Sequence, residues 1–432
     1  MSLLAQIVGS NFAHARRSTR DDHYFSHTIK KGQATRITPL QPPTLAAFPP
    51  WGDSAGAGCA ELARHKYRIS LVFNRIVKLN FIKYLGEKLS MYKPLFLLLL
   101  ALVASTCDGE KKIKAKLKIK ASTEKPSPQD TLTFSLKLPK NSVVDSIRYF
   151  SNGKAVDSPL SLESFSLGSH TLQATAFYNG KSHAFENTFW VYASEKPSLM
   201  KYRVLNSYPH DPTAYTQGLE FKGEMLYEST GLNGKSTIRK VDYKTGDVLA
   251  NQKLDAVYFG EGLTLWDEQA IQLTWRANMG FVYDGETLKM TDSFAYDKST
   301  QGWGLCHNEE QLYKSDGSHI LWTLDPKSYK ETGSIEVMTN NKSVNKLNEL
   351  EWAQGLIYAN TYQFQKDVVV IVQPETGAVV GVVDFTGLRE KLRNNPKAEA
   401  FNGIAYHPQR NTFFVTGKYW NSLFEVEIYS EE

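Results

Sequence analysis

From residue 200 onward the chain repeats itself, and this limits its fold more than any other feature. A short cluster ending in Gly-Leu or Gly-Ile precedes an apolar stretch at Gln217–Gly218–Leu219, Glu261–Gly262–Leu263, Trp303–Gly304–Leu305, Gln354–Gly355–Leu356 and Asn402–Gly403–Ile404. A second element, a strand that runs into a turn and out again, interleaves with it at Val241–Gly246, Tyr283–Thr287, Leu324–Ser328 and Gln373–Gly377. An apolar alternation at Leu423–Ile428 closes the last copy. Repeats of roughly 40–50 residues, each made of several short strands, are the pattern of propeller blades. A horseshoe solenoid uses a shorter repeat, and helical repeats would carry a 3.6-residue apolar stripe that is missing here. Five copies predict a five-bladed β-propeller over residues 200–430. Its ring is predicted to close where Tyr202–Ser207 meets the last blade, Asn411–Ile428, which protects edges that would otherwise be open.

Each Gly-Leu corner is expected where an innermost strand begins near the axis. Glycine permits the bend, and the residue before it can point into the channel. Those residues are Gln217, Glu261, Trp303, Gln354 and Asn402.

Ahead of the repeats, residues 111–196 alternate between apolar and polar. Ile113, Ala115, Leu117 and Ile119 face one way and lysines the other, the pattern of a half-exposed strand. Further strands are expected at Thr131–Leu138, Val144–Phe150, Ser161–Phe165, His170–Tyr178 and Ala184–Tyr192, with turns at Pro139–Asn141, Asn152–Gly153 and Asn179–Gly180. This predicts a small immunoglobulin-like β-sandwich acting as a spacer. The fold class is therefore all-β, a sandwich followed by a propeller.

The first 107 residues read as two different things. Residues 1–90 mix His and Arg runs with a Pro-rich stretch and hold no sustained periodicity, so they are expected to be a non-native or disordered extension. At Met91 the sequence becomes MYKPLFLLLLALVASTC. A lysine, an apolar run too short to span a bilayer and small residues before Cys107 have the build of a signal peptide. They resemble a bacterial lipoprotein signal over 91–107, with Cys107 as the lipidated first residue of the mature protein. The expected location is the cell envelope, exported and lipid-anchored. Three cysteines in 432 residues do not make a disulfide scaffold, and there is no CxxC pair for zinc. The net charge of +5 gathers in one lysine-rich stretch and does not argue for nucleic acid.

Residues 208–429 resemble the plant- and bacterial-type glutaminyl-peptide cyclotransferases, the glutamine cyclotransferase family. The matching segments include HDPTAYTQGLEF at 210–221, YFGEGLTLW at 258–266, QLTWRANMGFVYD at 272–284, GWGLC at 302–306, LNELEW at 347–352 and VTGKYWNSLFEV at 415–426. The resemblance implies a metal-independent site without cofactor at one mouth of a five-bladed propeller. It implies that Glu261, Asn348 and Lys418 are catalytic, and that Gln217, Phe259, Trp275 and Trp303 bind substrate. Tyr362 stands where the family usually has tryptophan; it keeps a stacking face and adds a hydroxyl.

Such residues suit the closure of an N-terminal glutamine to pyroglutamate with release of ammonia. The five-membered ring supplies its own proximity. Glu261 could move protons, Lys418 and Asn348 could hold the amide oxygen as it gains charge, and aromatic walls could exclude water. The expected partners are peptides or proteins with N-terminal glutamine, and the expected state is a monomer. Two other classes compete: a non-catalytic propeller binding ligands or proteins at the cell envelope, and a metal-dependent propeller hydrolase or lyase. The carboxylate at position 261 weighs against the first, and the scarcity of histidines in the repeats against the second.

Overall fold

The computed structural model describes residues 114–178, 180–363 and 366–430. The segments before residue 114, with the signal-like run and Cys107, lie outside the described residues, as does Asn179 of one expected turn. Among the described residues, every regular element apart from one short 3-10 turn at Leu388–Lys391 is a strand.

Two small sheets come first. One orders β1 (Lys116–Ala121), β2 (Thr131–Lys137) and β5 (Leu160–Ser161); the other holds β3 (Ser146–Ser151), β4 (Lys154–Ala155), β6 (Gly168–Tyr178) and β7 (Lys181–Val191) in the order β4-β3-β6-β7. The alternation is realised: Leu132, Phe134 and Leu136 of β2 are buried while their neighbours are exposed, and Lys116, Lys118 and Lys120 of β1 face solvent. The buried residues of both sheets share one core, to which Leu117, Leu172, Ala174, Phe189 and Val191 contribute. The strand expected at Ser161–Phe165 is shorter than predicted. Leu162 turns into the core and Phe165 N–H bonds back to its carbonyl at 3.0 Å, so pairing ends at Ser161.

The repeats form sheets of four antiparallel strands. The first contains β9 (Thr216–Lys222), β10 (Met225–Thr230), β11 (Thr237–Asp242) and β12 (Asp247–Lys253). The second contains β13 (Gly260–Trp266), β14 (Gln269–Thr274), β15 (Met279–Asp284) and β16 (Met290–Ala295). The third contains β17 (Leu305–His307), β18 (Leu312–Ser315), β19 (Ile320–Leu324) and β20 (Glu331–Glu336). The remaining strands are β8 (Ser198–Pro209), β21 (Leu347–Ala353), β22 (Leu356–Thr361), β23 (Val368–Val372), β24 (Val379–Asp384), β25 (Phe401–His407), β26 (Thr412–Gly417) and β27 (Ser422–Ser430). They make one eight-stranded sheet in the order β21-β22-β23-β24-β8-β27-β26-β25. Within it β8 pairs with β27 from Ser422–Pro209 to Ser430–Met200, but meets β24 only through Ser198–Met200, in parallel. The pairing of the segment around Tyr202–Ser207 with the last strand is thus present.

The first strands of the successive units neighbour one another in a cycle: β9 beside β13, β13 beside β17, β17 beside β21, β21 beside β25, and β25 beside β9. Adjacent units share apolar cores, such as Ile238, Leu263 and Phe281 between the first two, and Leu219, Ala405 and Phe414 between the last and the first. Full burial of one such side chain is worth about 1.5–3 kcal/mol. In three of the four copies of the turn element an aspartate folds the turn: Asp242 Oδ1 accepts from Lys244 N–H (2.9 Å), Asp284 Oδ1 from Thr287 N–H (2.8 Å) and Asp325 Oδ1 from Ser328 N–H (2.7 Å).

One corner is not where the sequence repeat suggested. Gln354 and Gly355, with φ of 53° and 80°, form the hairpin turn between β21 and β22 and do not begin an inner strand. The irregular start that marks β13 at Gly260–Leu263 and β25 at Phe401–Ile404 occurs in β21 at Leu347–Leu350. The fourth corner is therefore Asn348–Glu349–Leu350, with glutamate in the place of glycine. Its carboxylate accepts from Leu219 N–H at 3.3 Å and Ile404 N–H at 3.0 Å, so it ties three inner strands together.

The two small sheets meet the third unit through Glu336, whose carboxylate accepts from Ser169 N–H at 3.1 and 3.2 Å and lies 2.9 Å from His319 Nε2.

A buried polar network locks β8 to the first unit. His210 Nδ1 lies 2.8 Å from the Trp420 carbonyl and its Nε2 lies 3.1 Å from Glu228. Glu228 also accepts from Thr216 Oγ1 (2.7 Å) and Arg239 Nε (2.9 Å), and Arg239 reaches Asp211 at 2.8 Å. Burial opposes charge on both partners, but the neighbouring charges win: His210 titrates above its ordinary 6.5 and Glu228 below its ordinary 4.5. The stabilisation from His210 is complete below about pH 6.5 and is lost as pH rises through its raised folded value; that from Glu228 is present above about pH 4.5 and lost as pH falls towards its depressed value. The urea midpoint gap between the wild type and His210→Asn is therefore expected to be widest below pH 6.5 and to narrow as pH rises through the raised folded value of His210. A gap that does not change with pH contradicts this account of the lock.

Candidate active site

The side chains that precede the inner strands gather at one end of the cycle. Asn402 Nδ2 donates to Gln217 Oε1 at 2.9 Å and to the Thr216 carbonyl at 3.0 Å. That bond fixes the Gln217 amide, whose Nε2 donates to Glu261 Oε1 at 3.0 Å. Three corners are thus wired in series, ending on one carboxyl. Glu261 is buried, and burial holds its carboxyl well above the usual 4.5, although Lys418 pulls the other way.

Lys418 follows β26, in a turn held by its own backbone: its N–H donates to the Ala400 carbonyl and its carbonyl accepts from Glu399 N–H, both at 2.9 Å. Its ammonium is buried. Burial lowers its pKa to about 8, against the pull of Glu261 and Glu399. Among the described residues it has aromatic faces in place of an ion-pair partner at contact distance: Nζ lies 4.7 Å from the Tyr215 ring centre and 4.9 Å from that of Tyr362. A cation over a ring face gains electrostatically from the ring quadrupole, and more so when desolvated.

These contacts continue as a closed circuit. Tyr215 meets Phe259 edge-on at 6.1 Å, and Phe259 meets Trp275 edge-on at 5.5 Å. Trp275 Nε1 donates to Gln301 Oε1 at 2.9 Å, and Trp303 Nε1 donates to the same oxygen at 3.0 Å. Trp303 then meets Tyr362 edge-on at 5.9 Å, and Tyr362 returns to Lys418. Glycines make room for the rings. A Cβ on Gly231 would stand 2.4 Å from Phe259, and one on Gly317, which has φ of 81°, would stand 2.6 Å from Trp303.

Of the expected site residues, Gln217 and Glu261 are joined directly, Lys418 feels the Glu261 charge, and Phe259, Trp275, Trp303 and Tyr362 all lie on the circuit. Asn348 is buried at its corner. Among the described residues it makes no hydrogen bond to Glu261 or Lys418, and its side-chain oxygen has no partner. Cys107 lies outside the described residues. Cys306 is a core residue whose thiol is pushed up by burial. Glu349 braces the axis, and neither His210 nor His307 joins the group.

Tyr215 and Gln301 belong to the circuit but were missed in the sequence, and Asn402 was noted only as a corner. A signal was available: Tyr215, Phe259 and Gln301 stand two positions before the corner residues Gln217, Glu261 and Trp303, and residues i and i+2 of an extended chain share a face.

The arrangement is able to do proton chemistry next to a desolvated cation inside an aromatic wall. The profile of the family described as glutamine cyclotransferase matches residues 172–428. A glutaminyl-peptide cyclotransferase of Arabidopsis thaliana is 39% identical over 228 residues, covering 52% of this chain and 70% of that protein. The crystal structure of Myxococcus xanthus glutaminyl cyclase superposes with a TM-score of 0.51 at 33% identity, over 55% of this chain and all of that one. On these grounds, the chain belongs to the glutamine cyclotransferase family.

Proposed function

We infer that this protein converts the N-terminal glutamine of peptides or proteins to pyroglutamate and releases ammonia. The observation that carries the reading is the Asn402–Gln217–Glu261 series ending beside buried Lys418, within an aromatic circuit. The family of the chain supplies the reaction class. The sheets of four strands, the cycle of first strands and the β8–β27 pairing support a five-bladed propeller over 200–430. The shared core of the two small sheets supports a separate sandwich domain over 111–196. The lipoprotein-like run at 91–107 suggests an envelope protein anchored through Cys107; intact-mass measurement of native material, reading acyl chains on Cys107 or residues before Met91, tests this.

In the proposed mechanism the neutral α-amine of the substrate attacks the side-chain amide carbon. A new C–N bond forms and the carbonyl oxygen gains negative charge. Glu261 as carboxylate takes the proton that the attacking nitrogen must lose. It then returns that proton to the amide nitrogen, the C–N bond to it breaks, and ammonia leaves. A raised pKa suits a group that must both accept and donate. Lys418, as ammonium, stabilises the oxyanion in a low-dielectric setting where its charge counts for more. Asn348, whose side-chain oxygen has no partner among the described residues, is a further polar group for the substrate amide. Phe259, Trp275, Trp303 and Tyr362 hold the aliphatic stem and exclude water.

Glu261→Gln keeps shape and removes the titratable group. Ammonia release from a Gln-initiated dipeptide should fall by about 10²–10⁴ in kcat with little change in KM. Full activity would remove Glu261 from the mechanism. Gln301 is a positioning residue, acting through the two indoles. Gln301→Leu deprives both of their acceptor and should raise KM by about tenfold while blue- or red-shifting the tryptophan emission, with the unfolding midpoint close to wild type. An unchanged KM would show that the indoles keep their places without it.

A further inference from the structure

Beside the circuit lies an open groove of about 980 Å³, bounded by the loops at 211–215, 231–235 and 396–399 and by the outer strands of the first unit. We propose that this groove takes the peptide segment that follows the N-terminal glutamine, and that it favours acidic side chains there. The proposal rests on the cyclotransferase reading above.

Continuity is the first argument. Tyr215 and Tyr419 line the groove, and Tyr215 is also a member of the circuit through Lys418 and Phe259. The two tyrosines meet edge-on at 5.2 Å and form a shared wall. A glutamine held with its amine and side chain inside the circuit must send its own carbonyl outward, and a chain passing this wall enters the groove. Size is the second. Ligand sites commonly occupy about 300–1,000 Å³, so this volume suits a stretch of several residues and exceeds what one glutamine needs.

Charge selects the occupant. Arg239 on the groove wall is already neutralised by Glu228 and Asp211, and Glu399 acts electrostatically on Lys418. Lys235 and Lys397 remain. Both are exposed, they come from two different loops, and neither has an ion-pair partner among the described residues. Val248, 40% exposed, adds an apolar patch against which an extended chain can lie. Against one exposed carboxylate, Glu399, which has no contact ion pair among the described residues, the groove therefore offers two free cations and an apolar contact, a surface for an extended acidic peptide.

The test uses labelled pentapeptides that begin with glutamine and carry either glutamates or lysines after the second residue. Fluorescence anisotropy reads their binding to Glu261→Gln protein, with and without the paired change Lys235→Glu and Lys397→Glu. The acidic peptide should bind about five- to tenfold more tightly than the basic one, less so at high salt, and the order should reverse after the charge reversal. With Glu261 intact, the paired change should leave turnover of a Gln-Ala dipeptide within about twofold, because a dipeptide is too short to reach the lysines. Affinities that ignore the charge reversal overturn the groove even if the dipeptide is cyclised. If the affinities follow the lysines but no Gln-initiated peptide releases ammonia, the groove stands and the cyclotransferase reading falls.

Discussion

The inner strands approach one another so closely that their corners have no room for side chains, and the rest of the structure follows from that. A Cβ on Gly304 would lie 2.0 Å from the Asn348 carbonyl oxygen, and one on Gly262 would lie 2.6 Å from the backbone of Gly304. The corners at Gly218, Gly262 and Gly304 each press on the backbone of the next. Because the corners repeat at the same level, the residues just before them emerge together at one end of the cycle. That is how Gln217, Glu261 and Asn402, distant in sequence, come to share hydrogen bonds. The exception proves useful: Glu349 replaces glycine, and its carboxylate satisfies the N–H groups of Leu219 and Ile404, which would otherwise be buried without partners.

The same packing sets the electrostatics. Water is kept from Glu261 and Lys418, so each is pushed towards its neutral form while each favours the charge of the other. A carboxyl and an amine moved in opposite directions are suited to sharing protons near neutral pH. The aromatic circuit contributes to that environment in two ways. Its rings exclude solvent, and the faces of Tyr215 and Tyr362 replace part of the hydration that Lys418 lacks. Gln301, by accepting from both indoles, fixes one side of the wall.

Much of this could be read from the chain. The corners at residues 218, 262, 304 and 403, the aspartate-led turns and the closing partnership of β8 with β27 all left periodic marks in the sequence. The fourth corner did not, because glycine marks two different things. It relieves crowding at an inner strand, but at Gly355 it supplies the left-handed backbone of a hairpin turn, and the letters Gln-Gly-Leu look alike in both. The real corner carries glutamate and broke the pattern. Tyr215 and Gln301 escaped for another reason: their roles depend on which ring edge or indole N–H meets them across the cycle, and strand alternation fixes a face without naming its neighbours. The groove lay further out of reach still, since it is assembled from three loops and two outer strands whose approach is set by tertiary packing.

The central claim is that burial raises the pKa of the Glu261 carboxyl well above the ordinary carboxylate range, so that beside Lys418 it is basic enough to take a proton and acidic enough to return it. Infrared difference spectra between the wild type and Glu261→Gln, recorded across pH, isolate the carbonyl stretch of that one protonated carboxyl. The account predicts a band that persists well above pH 4.5, the ordinary value for glutamate. A band that disappears at or below pH 4.5 would contradict it, because Glu261 would then be an ordinary carboxylate, too weak a base to take the proton from the attacking amine.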